Sequence, residues 1–267
     1  MISEKPISVA IETTNLCNAK CSFCPNKDLN RKKGIMEQSL FEKIINDCVD
    51  IQPKYIILQI NGEPFLDPQF IDRIKLINLR IPSAKVMFFT NASLMNPEIS
   101  DKLTSLNIFS ICFSINAIDQ ENYNKRMKLN YHTTISNINY FLKVNKTIKN
   151  LTFSIVDQNL SSEEINLFKE QWGNRIFVAK KVNFAGLMFD VSPSNKSCLR
   201  ALREMCVLWD GKVSLCCMDM EGKVIHGDAS ENHLLDIWNN ENMRKLREFH
   251  LKNRRNKYPL CNNCNEA

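Results

Sequence analysis

Three cysteines in the stretch CNAKCSFCP, Cys17, Cys21 and Cys24, stand at the spacing CxxxCxxC. Thiolates at i, i+4 and i+7 of one short loop can hold a soft metal or a cluster, yet a closed tetrahedral zinc site wants four ligands. Two chemistries fit a set that is one donor short. A cubane iron-sulfur cluster on three thiolates leaves one iron without a protein ligand, open to a small molecule. A zinc knuckle would instead need a distant fourth cysteine or histidine.

A second set lies later in the chain: Cys198, Cys206, Cys216, Cys217, Cys261 and Cys264. The pair in CNNC, Cys261 and Cys264, plus cysteines from a hairpin, is geometry for a four-thiolate site, and by itself suits structural zinc as well as iron and sulfide. Adjacent side chains on a strand point to opposite faces. Cys216 is therefore expected to turn toward the CNNC pair and Cys217 to be left over. Cys206, inside the apolar MCVLW, reads as a small buried hydrophobe, as does Cys48.

Positioning such groups takes a scaffold, and the chain is long enough for one. Its 267 residues are 44% hydrophobic and 24% charged, an ordinary globular composition. Apolar strands alternate with amphipathic helices: strands at 7–13, 55–60, 85–90, 109–116, 151–156 and 175–182, helices near 39–50, 69–79, 97–106 and 161–172, and helical segments after the fourth strand to about 144. Six strand-helix steps imply a parallel sheet. A closed barrel of this kind takes eight strands and about 250 residues, so an open, partial TIM-like (β/α)6 barrel is expected over 1–190. At its strand ends, where barrels gather reactive groups, stand Cys17, Gly62-Glu63-Pro64, Asn91, Ser114 with Asn116, and Asn183. From about residue 191 the pattern changes. VLWDGKVSL reads as a hairpin turning at Asp210-Gly211, a single helix is expected over 232–250, and the region 191–267 forms a small cysteine-rich domain.

Charge and hydropathy exclude other classes. The net charge of +6 is scattered, and its densest tract, HLKNRRNK, closes a helix without interleaved aromatics, which argues against a nucleic-acid partner. No run reaches the roughly 18 apolar residues of a membrane helix, and MISEKPISVAIETT lacks signal-peptide character. The expectation is a cytoplasmic protein with reduced thiols and no membrane partner.

With these residues in place, the chain resembles the radical S-adenosylmethionine (radical SAM) superfamily: CxxxCxxC follows the first strand of a partial barrel, and NGEPFLDP is similar to that family's GEP motif. The resemblance implies a 4Fe-4S cluster on Cys17, Cys21 and Cys24 whose open iron is chelated by S-adenosyl-L-methionine. It assigns Gly62, Glu63 and Pro64 to the methionine amine, Ser114 and Asn116 to the ribose or carboxylate, and Asn183 with Gly186 to the adenosine surroundings. FFTNASLM resembles the family's TNG segment, with Asn91 retained and Ala92 in place of glycine. The C-terminal C…DGxVxxC…IW…CxxC resembles a shortened SPASM, or twitch, domain, which implies an auxiliary 4Fe-4S cluster on Cys198, Cys216, Cys261 and Cys264. The layout is most like the aminocyclitol dehydrogenase type of butirosin biosynthesis.

In cofactors and partners the resemblance implies two 4Fe-4S clusters, S-adenosyl-L-methionine, an external electron donor of the flavodoxin or ferredoxin type, and a small polar substrate such as a sugar, aminosugar or aminocyclitol. Oxidation through the auxiliary cluster makes a dehydrogenase. Return of a hydrogen atom from Cys217, as a catalytic thiol, makes an epimerase. Modification of a ribosomal peptide and, outside enzymes, a zinc-binding interaction module are the other readings.

Overall fold

Every second residue of the apolar runs is a large hydrophobe, and this alternation gives the sheet one face for helices and one for chemistry. The structure is a computed structural model and describes residues 3–266. In it β1 (Ser8–Ile11), β2 (Tyr55–Ile57), β3 (Lys85–Thr90), β4 (Ser110–Ser114), β5 (Asn150–Val156) and β6 (Ile176–Ala179) lie side by side in chain order, all parallel. Between them run α1 (Gln38–Ile51), α2 (Phe70–Arg80), α3 (Pro97–Thr104), α4 (Gln120–Met127), α5 (Tyr131–Val144) and α6 (Ser162–Trp172). β6 forms one edge of the sheet, so the barrel is partial and open, the (β/α)6 arrangement expected from the sequence.

Val9, Ile11, Val86, Phe88, Ile111, Phe113 and Phe153 are buried among the helices. Phe113 stacks on Phe153, and Phe153 on Trp172 of α6 at 4.1 Å. The intervening residues Ala10, Ile57, Phe89, Ser114 and Ser154 face the other way and line a cavity. α1 buries Phe41, Ile44, Ile45 and Cys48, the stripe its spacing predicts.

The C-terminal region continues the same sheet. β7 (Glu204–Val207) pairs parallel with β1, from Ser8 opposite Glu204 to Ile11 opposite Val207. β8 (Lys212–Ser214) and β9 (Ile225–Asp228) follow antiparallel, so among the described residues nine strands form one sheet. Gly211 takes φ +88° at the expected β7–β8 turn, a conformation open to glycine. α7 (Leu199–Arg203) precedes β7.

Two expectations need correction. The helix expected over 232–250 is two, α8 (Leu234–Asn239) and α9 (Glu241–Leu251). Asn240 breaks it because its side chain accepts the Met243 N–H and caps α9 rather than continuing α8. Cys216 and Cys217 are not on a strand: β8 ends at Ser214, and both sit in the turn beyond it, so strand alternation does not govern them. α10 (Pro259–Asn262) carries Cys261. No helix among the described residues is long and apolar enough to cross a membrane.

Candidate active site

The chain leaves β1 directly into the cysteine loop, and Cys17, Cys21 and Cys24 line a cavity of about 410 Å3 together with Gly62, Glu63, Asn91, Ser114 and Asn116. Gly62 is pressed against the backbone that enters the loop. Its φ is +81°, a Cβ there would lie 2.6 Å from the carbonyl oxygens of Thr14 and Leu16, and the next N–H, of Glu63, donates to Leu16 O at 2.7 Å. Only glycine fits. The Glu63 carboxylate is fully buried: Oε1 accepts from Thr90 Oγ1 at 2.6 Å and Oε2 from Asn91 N at 2.8 Å. Burial pushes its carboxyl from 4.5 up to about 7, with those donors pulling the other way.

Asn91 returns the tie to the cysteine loop, its Nδ2 donating to Asn18 Oδ1 at 2.9 Å. Ala92 holds φ +58° with its N–H on Thr90 Oγ1, so alanine here takes the left-handed conformation that glycine adopts without strain. Asn116, at φ +61°, accepts the Val156 N–H at 2.9 Å and fixes the ends of β4 and β5 to one another. The Asn61 Oδ1 is buried on this cavity with no hydrogen-bond partner among the described residues. It is an acceptor ready for a ligand N–H or O–H.

Burial pushes the Cys17 thiol up to about 11 and raises Cys21 and Cys24, and as thiolates Cys17 and Cys24 would repel Cys21. Three soft, mutually repelling donors fit the irons of a cluster, which supply the missing positive charge. Among the described residues no three His, Cys, Asp or Glu side chains are arranged to hold a single metal ion. A cubane, ligated at a different iron by each thiolate, accommodates a wider donor set than tetrahedral zinc.

The second cysteine set forms its own site. Cys198, Cys216, Cys261 and Cys264 line a smaller pocket, and burial pushes Cys261 up to about 12. Cys217 faces the central cavity instead. Arg200 and Met218 line both spaces. Cys206 is buried as expected, its thiol donating to Glu204 Oε1 at 3.7 Å.

Three expected residues, Pro64, Asn183 and Gly186, are not brought to the cavity lining. Pro64 opens the short 3-10 turn after Glu63. Asn183 lies buried beyond β6 and donates through Nδ2 to Asn263 O at 2.7 Å, while its N–H and Oδ1 bond Asn265. It staples the barrel's last strand end to the CNNCN segment.

Other residues at the site carried no signal in the sequence. Glu12 is fully buried and takes a two-pronged bond from Arg31, 2.8 Å on one side, along with the Asn61 amide and the Trp209 N–H. Only the strand alternation, which sets Glu12 on the same face as Ser8 and Ala10, could have pointed there. Arg255, buried under the CNNC turn, lies in what reads as a solvated basic tract.

A model of the radical SAM superfamily matches residues 11–168, and a model of an iron-sulfur cluster-binding domain, SPASM, matches residues 198–265. The S-adenosyl-L-methionine-dependent 2-deoxy-scyllo-inosamine dehydrogenase of Niallia circulans is 21% identical over 264 residues, 97% of this chain and 92% of that protein. The tungsten-containing aldehyde ferredoxin oxidoreductase cofactor-modifying protein of Pyrococcus furiosus is 28% identical over 109 residues, 40% of this chain and 30% of that protein. Among solved structures, BtrN in complex with AdoMet and 2-DOIA aligns with a TM-score of 0.71 at 20% identity, covering 100% of this chain and 95% of that one. Streptococcus suis SuiB bound to the precursor peptide SuiA aligns at 0.77 with 17% identity, covering 93% and 68%.

Proposed function

The chain belongs to the radical SAM superfamily and is a radical SAM oxidoreductase, and from that premise we propose that it is a dehydrogenase of a small polar substrate: an aminocyclitol, aminosugar or sugar. One observation carries this reading: the four-cysteine pocket and the central cavity share Arg200 and Met218, so a cluster held by those cysteines would stand beside the substrate space. Likeness to a 2-deoxy-scyllo-inosamine dehydrogenase across almost the whole chain supports the substrate class.

Cys17, Cys21 and Cys24 would hold the first 4Fe-4S cluster, and Cys198, Cys216, Cys261 and Cys264 the second. When bound, the first cluster with S-adenosyl-L-methionine supplies a 5′-deoxyadenosyl radical able to take a hydrogen atom from a C–H bond, and the second supplies an acceptor for one electron. The chain's own residues do the positioning. Gly62 lets the Glu63 turn approach the cysteine loop, Glu63 and Asn61 offer acceptors to the methionine amine, and Ser114 and Asn116 offer polar groups from the β4 end. Pro64 and Asn183 act one step back, by holding the GEP turn and the C-terminal segment. The apolar Phe89, Ile57 and Met127 lining limits water around the reacting centre. An external one-electron donor of the flavodoxin or ferredoxin type would supply the reducing electron.

Cys217 supports a second reading, since its thiol faces the central cavity. A hydrogen atom given from Cys217 to a substrate radical would return the substrate as an epimer and leave a thiyl radical, which one electron from the external donor and a proton from solvent would convert back to the thiol.

The test is anaerobic reconstitution with iron and sulfide counting, then dithionite, S-adenosylmethionine and 2-deoxy-scyllo-inosamine as the probe substrate. About eight irons, 5′-deoxyadenosine and a ketone product are expected, and Cys21→Ala should abolish the cleavage. Substrate recovered with solvent deuterium and inverted configuration, lost in Cys217→Ala, would install the epimerase reading. Zinc in place of iron with S-adenosylmethionine intact would sink both.

A further inference from the structure

Arg255 is only 4% exposed, and its guanidinium spends itself on main-chain carbonyls. Nε and Nη2 donate to Cys261 O at 2.9 and 2.7 Å, Nη2 also to Cys264 O at 3.1 Å, and Nη1 to Lys196 O and Glu266 O, both at 2.8 Å. No carboxylate pairs with it among the described residues, and the Glu266 carboxylate is taken by Arg200 at 2.7 Å. Carbonyl dipoles solvate a cation without cancelling its charge, so a whole positive charge stands under the CNNC turn. Burying such a charge is costly unless a net anion lies close. Four thiolates on a cluster form such an anion, and one more electron makes it more negative.

His250 approaches from α9. Its Nδ1 accepts the Cys198 N–H at 3.1 Å, so in the neutral ring Nε2 carries the hydrogen. The ring is fully buried, lines the four-cysteine pocket, and its Nε2 has no partner among the described residues. A buried N–H donor without an acceptor points to a group still to be bound there.

Resting on the reading that Cys198, Cys216, Cys261 and Cys264 hold a cluster, we propose that Arg255 and His250 are positioning residues that make that cluster an easier electron acceptor, Arg255 by its uncompensated charge and His250 by an N–H donated to sulfur. Positive charge and hydrogen bonds to sulfur both favour the reduced cluster over the oxidised one, and so raise its potential. Arg255 does a second thing: by gathering the carbonyls of Lys196, Cys261, Cys264 and Glu266 it sets the spacing of the cysteines that flank them.

The experiment uses the full chain with Cys17, Cys21 and Cys24 changed to Ala, so that only the C-terminal cluster reports. Iron content and the midpoint of an EPR-monitored potentiometric titration are compared for this parent and for Arg255→Gln, Arg255→Lys and His250→Asn in the same background. Asn at 250 keeps an acceptor for the Cys198 N–H, while its shorter amide carries no N–H at the place of Nε2. The midpoint should move negative in Arg255→Gln and in His250→Asn and stay near the parent's in Arg255→Lys, which keeps charge but holds less iron because the fork is lost. Lower iron with an unmoved midpoint in Arg255→Gln and His250→Asn would reduce both residues to structural supports and overturn the proposal. Should Arg255→Gln hold no cluster, the other two variants decide. A parent that binds no iron would fail the underlying reading, and the inference with it, in a way the midpoints could not mimic.

Discussion

Burial lifts the Glu63 carboxyl to about 7 although Thr90, Asn91 and Phe65 all donate to it. Between its ordinary value of 4.5 and that figure, the unfolded chain has released the proton while the folded protein still holds it. Stability therefore falls as pH rises through this window, because there the native state binds more protons. His226 and His250 titrate the opposite way: burial holds each down to about 4, so their contribution is lost as pH falls toward that value. The two effects separate by comparison. Glu63→Gln, neutral throughout, should gain on the parent by roughly 3 kcal/mol between pH 4.5 and 7.5, read from urea midpoints of the S-adenosylmethionine-free protein; parallel pH profiles would refute it. At this scale the sequence exposed the motif residues well, since cysteine spacing and Gly-Glu-Pro are local facts. It could not show that Glu63 spends its oxygens on β3, or that Asn183 faces the tail, because those partners are fixed only when distant strand ends meet.

The loop after the cysteines is clamped to the C-terminal turn by a buried charge pair. Arg31 reaches Glu12 at the end of β1 and donates through Nε to Met220 O, while Glu221 accepts from the Asn30 and Arg31 N–H groups. Gly34 completes the fit, since a Cβ there would come within 2.5 Å of the Trp209 ring. The Glu12 side chain has no exposure and that of Arg31 has 12%. Removing the cation alone strands a buried carboxylate, which in other proteins costs about 3–5 kcal/mol. Arg31→Met should therefore lose stability on that order and also lower iron retention at the cysteine loop, since the loop is no longer tied to β1. Glu12→Gln with Arg31→Met removes both charges and should recover most of the loss. A double variant as unstable as the single one would mean that packing, not the charge, holds the clamp. None of this is periodic in the sequence: alternation puts Glu12 on the inner face, but nothing local selects Arg31 as its partner.

Across the molecule, residues 1–190 and 191–267 read as two domains because periodicity changes between them, and the hydrogen bonds run straight through. β7 adds to the edge of β1, with Glu12 N donating to Val207 O and Ile7 N to Arg203 O, a pairing between residues far apart in the chain. Hydropathy patterns carry no information on such contacts, whereas the six local strand-helix steps could be read directly. Met205 and Val207 bury fully beside Val9 and Ile11, so separating the two parts would uncover an unpaired strand edge and its apolar face. The buried tryptophans report on each side: Trp172 on the barrel, stacked on Phe153, and Trp238 in the C-terminal region, held by Ser3 O. If the shared sheet couples the two parts, variants keeping only Trp172 or only Trp238, with the others changed to Phe, should show coincident urea transitions for fluorescence and circular dichroism. Trp238 released at lower urea than Trp172 would instead make the C-terminal region a separately unfolding unit. Coincidence would mean that the two cysteine-lined sites, one beyond β1 and one beyond β8, stand on one cooperative scaffold, which would let an electron pass between the neighbouring cavities without domain motion.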